Sequence, residues 1–103
     1  MNGMESVEGE SAAPDLAEPK DKLILMVDDD ESILDLMQHI LSKEGFKLER
    51  AADGYEAIKK AESISPHLII LDFMLPGIGG FEVIRELQKY EPSSIPIMVI
   101  TGR

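Results

Sequence analysis

Three consecutive aspartates, Asp28, Asp29 and Asp30, follow the apolar run Leu23-Ile24-Leu25-Met26-Val27, and a fourth, Asp72, closes a second run, Leu68-Ile69-Ile70-Leu71. Carboxylates at the carboxyl ends of two buried parallel strands converge on one edge of an open sheet, where α/β proteins bind their ligands. Carboxylates crowded together repel, so the set suits a divalent cation. Two or three of them plus water match Mg²⁺, which takes few protein ligands and keeps several waters. A cation held there neutralises an incoming phosphate, and a carboxylate can itself attack phosphorus to form an acyl phosphate. Thr101-Gly102, after Ile97–Ile100, adds a hydroxyl suited to a phosphoryl oxygen, beside a residue too small to block access.

Simpler roles compete for some of these residues. Asp30 and Glu31 read as the N-terminal cap of a helix, since carboxylates favour the positive end of its dipole. Asp72 resists that explanation, because a charge ending a near-continuous apolar strand is costly to desolvate without a counter-ion. His39 and His67 have neither metal-ligand spacing nor a cysteine or serine partner, and both read as structural.

The elements that must position these groups alternate in type. Leu23–Val27 is short and continuously apolar, which predicts a strand covered on both faces. Ile33, Leu36, Met37, Ile40 and Leu41 recur at helical spacing, and Gly45 stands where that helix should stop. Phe46–Ala51 predicts a second strand, towards an edge because it carries Lys47, Glu49 and Arg50. Asp53-Gly54 predicts a turn; Ala57, Ile58, Ala61 and Ile64 then mark a short helix ending before Pro66. Leu68–Leu71 is a third strand, followed by a Pro- and Gly-rich loop from Phe73 to Gly80. Phe81, Ile84, Leu87 and Gln88 predict a third helix to about Tyr90, broken by Pro92 and Ser93-Ser94, and Ile97–Ile100 is a fourth strand. The order β-α-β-α-β-α-β predicts right-handed crossovers and a doubly wound parallel sheet with helices on both faces. One reversal of winding would allow strands one and three to lie side by side, which is the arrangement supposed here.

Length and charge bound the rest. A chain of 103 residues allows one small domain, and nothing in it approaches the ~20 apolar residues of a membrane helix. The lack of cysteine removes disulfide and thiol chemistry, and the acidic start resembles no targeting peptide; a cytoplasmic location is expected. A net charge of −10 argues against direct nucleic-acid binding, which needs a basic face. Half of that charge lies in residues 1–21, which hold six acids and one base without hydrophobic periodicity and read as a disordered acidic leader. Residues 22–103 form the folded unit.

From Lys22 to Arg103 the chain resembles the receiver domain of bacterial two-component response regulators. The resemblance rests on V-D-D-D at Val27–Asp30, A-D-G at Ala52–Gly54, L-D-F-M-L-P-G-I-G-G at Leu71–Gly80 and T-G-R at Thr101–Arg103. The 43 residues separating Asp29 from Asp72 also suit that family. It implies a flavodoxin-like sheet with strand order 2-1-3-4 and a phosphoryl group accepted on Asp72 from a sensor histidine kinase or phosphotransfer protein. By the same resemblance Asp29 would bind Mg²⁺ directly and Asp28 mainly through water, with the backbone carbonyl of Met74 as a further ligand. Thr101 would be the switch hydroxyl that moves to the phosphoryl group, and Pro76 and Gly80 would shape the loop after the acceptor.

The resemblance also implies elements not found before Arg103: a fourth helix, a fifth strand ending in a lysine (usually a Lys-Pro pair), and a fifth helix. No Lys-Pro pair exists in the chain, so no residue is assigned that role. The expectation is a truncated receiver, a fragment of a longer regulator whose last strand and two last helices are missing. Completion by a swapped dimer or a strand-adding partner, or a minimal stable receiver, are the alternatives. In each, strand four becomes an edge with uncovered apolar side chains. Two rival functions remain open. One is a degenerate receiver acting only as a protein-interaction module. The other is an aspartate-nucleophile phosphohydrolase, which usually needs an acid two residues beyond the nucleophile, where this chain has Met74.

Overall fold

The computed structural model describes residues 19–90 and 95–100. The leader up to residue 18 and the break at Pro92 to Ser94 lie outside the described residues. Strands β1 (Leu23–Val27), β2 (Lys47–Ala51), β3 (Leu68–Asp72) and β4 (Ile97–Ile100) alternate with helices α1 (Glu31–Lys43), α2 (Gly54–Ile64) and α3 (Gly80–Tyr90). The strands form one parallel sheet in the order β2-β1-β3-β4, the order that the receiver resemblance implies. Pro19–Asp21, counted in the leader by composition, instead form a 3₁₀ turn closed by the Lys22 amide donating to the Pro19 carbonyl at 2.9 Å.

The two faces of the sheet carry separate cores. Leu25, Val27, Ile69 and Leu71 pack with Ala57, Ala61, Val83 and Leu87 under α2 and α3; Ile24, Met26, Leu68 and Ile70 pack with Leu34 under α1. Strands β1 and β3 are therefore covered on both sides, which is why their sequences are continuously apolar rather than alternating. Strand β2 lies at an edge, where exposed Lys47 and Glu49 alternate with half-buried Leu48 and Arg50.

Local signals set the helix ends. Asp30 caps α1 by accepting from the Ser32 amide at 2.8 Å, and Gly45 follows the helix at φ 97°, a conformation that favours glycine. Asp53-Gly54, which reads as a turn, is the cap and first residue of α2. Asp53 accepts from the Glu56 amide while Glu56 accepts from the Ala52 amide, both at 2.8 Å. The first contact satisfies an amide that a helix start leaves without an intrahelical partner, and the second ties the residue before the cap to the first turn. His67 is structural: its Nδ1 accepts from the Leu23 amide at 3.0 Å, joining the starts of β1 and β3.

Rotation of the helices departs from the apolar spacing. On α1 the buried residue is Leu34, while Leu36 and Ile40 are 55% and 51% exposed. Arg50 of β2 binds Asp35 at 2.9 Å and Gln38 at 3.1 Å, which turns the flank bearing Leu36 and Ile40 away from β2. On α3, Val83 and Leu87 are buried and Phe81 is exposed. Met98 and Val99 of β4 are also exposed, as expected of an apolar edge.

Gly80 is more than loop punctuation. It is buried as the first residue of α3, and a Cβ there would lie 2.8 Å from the Cα, Cδ1 and carbonyl oxygen of Phe73. Backbone atoms cannot yield cheaply, so Gly80→Ala should destabilise the chain by about 1–3 kcal/mol in urea unfolding. Gly79→Ala, whose Cβ would meet nothing within 4 Å, should change stability by less than about 0.5 kcal/mol. Equal effects would contradict this packing.

Candidate functional site

Register brings the acids together. Val27 of β1 pairs with Leu71 of β3, so the residues that follow, Asp28 and Asp72, emerge side by side at the carboxyl edge of the sheet. Both are only 2% exposed, whereas Asp29 is exposed. One carboxylate oxygen from each of Asp28, Asp29 and Asp72 lies within 4.8 Å of the others. Asp30, the remaining member of the acidic run, lies outside this cluster and caps α1.

Short backbone links fix the two buried acids. The Asp28 amide donates to the Ala51 carbonyl at 3.1 Å, tying the end of β1 to the end of β2. Asp28 Oδ1 accepts from the Asp30 amide at 2.9 Å, and Asp72 Oδ1 accepts from the Met74 amide at 3.0 Å. Each carboxylate is thus oriented by the amide two residues onward, before the chain turns away from the strand. Neither amide contact nor the Ala51 link identifies its donor residue by type, since all three donors are backbone amides.

The donor set fits Mg²⁺. All three groups are hard oxygen donors, and two ligands of one Mg²⁺ at ~2.1 Å lie roughly 3–4 Å apart. Separations up to 4.8 Å accommodate such an ion with small movements or one bridging water. Asp28, Asp29 and Asp72 are the residues that could hold it.

The loop after Asp72 runs from Phe73 to Gly79 and returns on itself. Gly77 adopts φ 77°, and the Gly80 amide donates to the Phe73 carbonyl at 3.2 Å. Met74 projects its side chain into solvent, and Pro76 is exposed at a bend in the same loop. Thr101 lies outside the described residues.

This architecture is shared. Residues 24–103 match the response regulator receiver domain family. The alkaline phosphatase synthesis transcriptional regulatory protein PhoP of Bacillus subtilis is 45% identical over 82 residues, covering 80% of this chain and 34% of that protein. The chain spans about a third of the length of the curated relatives it matches. Among solved structures, response regulator protein TrrA from Thermotoga maritima in complex with Mg(2+)-BeF superposes with a TM-score of 0.75 at 39% identity, covering 80% of this chain and 70% of that one. TrrA in complex with histidine kinase ThkA gives a TM-score of 0.73 at 40% identity, over 79% and 69% of the two chains. A family match over most of the chain, on the same strand order and acidic edge, shows that the chain belongs to the response regulator receiver domain family.

Proposed function

We propose that the chain accepts a phosphoryl group on Asp72 from the phosphohistidine of a sensor histidine kinase or phosphotransfer protein, with Mg²⁺ as cofactor. The observation that carries this reading is the gathering of Asp28, Asp29 and Asp72 within 4.8 Å across two strands. A relative solved with Mg(2+)-BeF and with a histidine kinase supports the cofactor and the partner.

In the transfer, an Asp72 oxygen attacks phosphorus, the P–N bond to the histidine breaks as the P–O bond forms, and the departing imidazole takes a proton from solvent. The Met74 amide on Asp72 Oδ1 holds the carboxylate in place for in-line attack. Asp28, Asp29 and the Met74 carbonyl would hold the cation beside Asp72. Bound Mg²⁺ would offset the charge on the phosphoryl oxygens. The Thr101 hydroxyl then approaches the acyl phosphate, while Pro76 and Gly80 shape the loop beside it. Met74 places no acid or base two residues beyond Asp72, so the product is a retained acyl phosphate rather than a turnover intermediate.

None of the described helices is long and apolar enough to cross a membrane. The reading places the chain in the cytoplasm, acting through proteins rather than nucleic acid, in keeping with its isoelectric point near 4.5. The alternative reading is a module acting only through protein contacts.

Incubation with acetyl phosphate and Mg²⁺ should add one phosphoryl group per chain by intact mass, and Asp72→Asn should abolish the gain. Undiminished labelling of Asp72→Asn would remove Asp72 from the role, and sustained release of phosphate from para-nitrophenyl phosphate would favour the phosphohydrolase.

Metal linkage gives a second check. Mg²⁺ at about a hundred times its dissociation constant should stabilise the fold by about 2.7 kcal/mol. Asp29→Asn should cut the gain at the same concentration. A melting temperature indifferent to Mg²⁺ would support the pure interaction module.

A further inference from the structure

We infer that Asp30, although outside the acidic cluster, is a positioning residue for the cation site, acting through its own backbone amide on Asp28. The inference rests on the proposed role of Asp28 in holding Mg²⁺. Asp28 is 2% exposed, so its carboxylate has little water to orient it, and its Oδ1 accepts from the Asp30 amide at 2.9 Å. The direction of that amide depends on the Asp30 backbone, which is extended at φ −97° and ψ 110°.

Three further contacts hold that conformation from the helix side. Asp30 Oδ1 accepts from the Ser32 amide at 2.8 Å and from the Ile33 amide at 3.4 Å. The Asp30 carbonyl accepts from the Leu34 amide at 3.1 Å, beginning the ladder of α1. The residue therefore faces two ways: its side chain and carbonyl fasten it to α1, and its amide fastens Asp28. Removing the cap frays the first turn of α1 and loosens the amide that aims the Asp28 carboxylate. Groups that orient a metal ligand in this way commonly alter metal affinity when lost.

The competing explanation is simple charge, since any carboxylate near the cluster attracts a cation. The two effects separate by substitution. Asn caps a helix about as well as Asp but carries no charge, whereas Ala does neither. Screening by added salt weakens the charge effect and spares the capping effect.

The test compares wild type, Asp30→Asn, Asp30→Ser and Asp30→Ala, using Mg²⁺ titration followed by amide NMR at low and high salt. Hydrogen exchange of the residue 30 amide is measured in the metal-free proteins. Asp30→Ala should weaken Mg²⁺ binding by about threefold to tenfold beyond Asp30→Asn, with the gap persisting at high salt. Its residue 30 amide should exchange faster, while the Leu25 amide in β1 keeps its protection. Asp30→Ser should restore both properties towards those of Asp30→Asn. Equal Mg²⁺ affinity for Asp30→Ala and Asp30→Asn would overturn the role, as would an unchanged residue 30 amide or exchange accelerated equally at Leu25. A wild type that binds no Mg²⁺ would remove the metal reading itself, and this role with it.

Discussion

Negative charge concentrated where two buried strands end is the constraint on which the rest of this structure depends. Asp28 and Asp72 are nearly enclosed, and with Asp29 they bring carboxylate oxygens within 4.8 Å of one another. Two unit charges at that spacing, in an effective dielectric of about 20, repel by about 3–4 kcal/mol. Folding must supply that energy from elsewhere, and a divalent cation reverses its sign. The double coverage of β1 and β3 supplies the means: every residue from Ile24 to Val27 and from Leu68 to Leu71 is buried, which anchors both strand ends against electrostatic separation.

Register converts this anchoring into geometry. A parallel pair has a single offset, and here Ile24 lies beside Leu68 and Val27 beside Leu71. A slip of one residue would turn the apolar side chains of β1 to the wrong faces and would also carry Asp28 away from Asp72. The same packing that excludes such a slip therefore aligns the acids. His67 reinforces the offset from the opposite end of the strands, where its ring nitrogen and backbone amide both bind Leu23.

Much of this was legible in the residues. Runs of four or five apolar residues ended by aspartate marked β1 and β3, the charged residues of Lys47–Arg50 marked an edge, and the alternation of elements gave a parallel sheet whose strand order followed from the resemblance. Helix rotation was less legible. Apolar residues span just under half the circumference of α1, with Leu34 at one margin and Leu36 at the other, so spacing alone did not show that Leu34 is the buried one; the Arg50 contacts to Asp35 and Gln38, on the Leu34 side, were invisible from spacing. Val83 was missed for a related reason. Its burial depends on the approach of α2, where a Cβ on Gly54 would come within 2.6 Å of Val83 Cγ2. At the site, the identities of the acids were legible, but the amides that orient them were not, because every residue except proline carries one.

Those amides bear on the proposed roles of Asp72 as nucleophile and Asp28 as metal ligand. A freely rotating Asp72 would present its oxygens in many directions, and attack on phosphorus would have to await a productive one. The amide of Met74 occupies Oδ1 and fixes the carboxylate plane relative to β3. Asp28 is oriented in the same manner by Asp30, from the other strand. Both constraints come from residues that also begin the next segment, the cap of α1 in one case and the returning loop to Gly80 in the other. The orientation of each carboxylate is therefore tied by a hydrogen bond to the start of a helix or to the path of a loop. Under the proposed function, a phosphoryl group on Asp72 would act first on the Met74 amide and the loop that it begins.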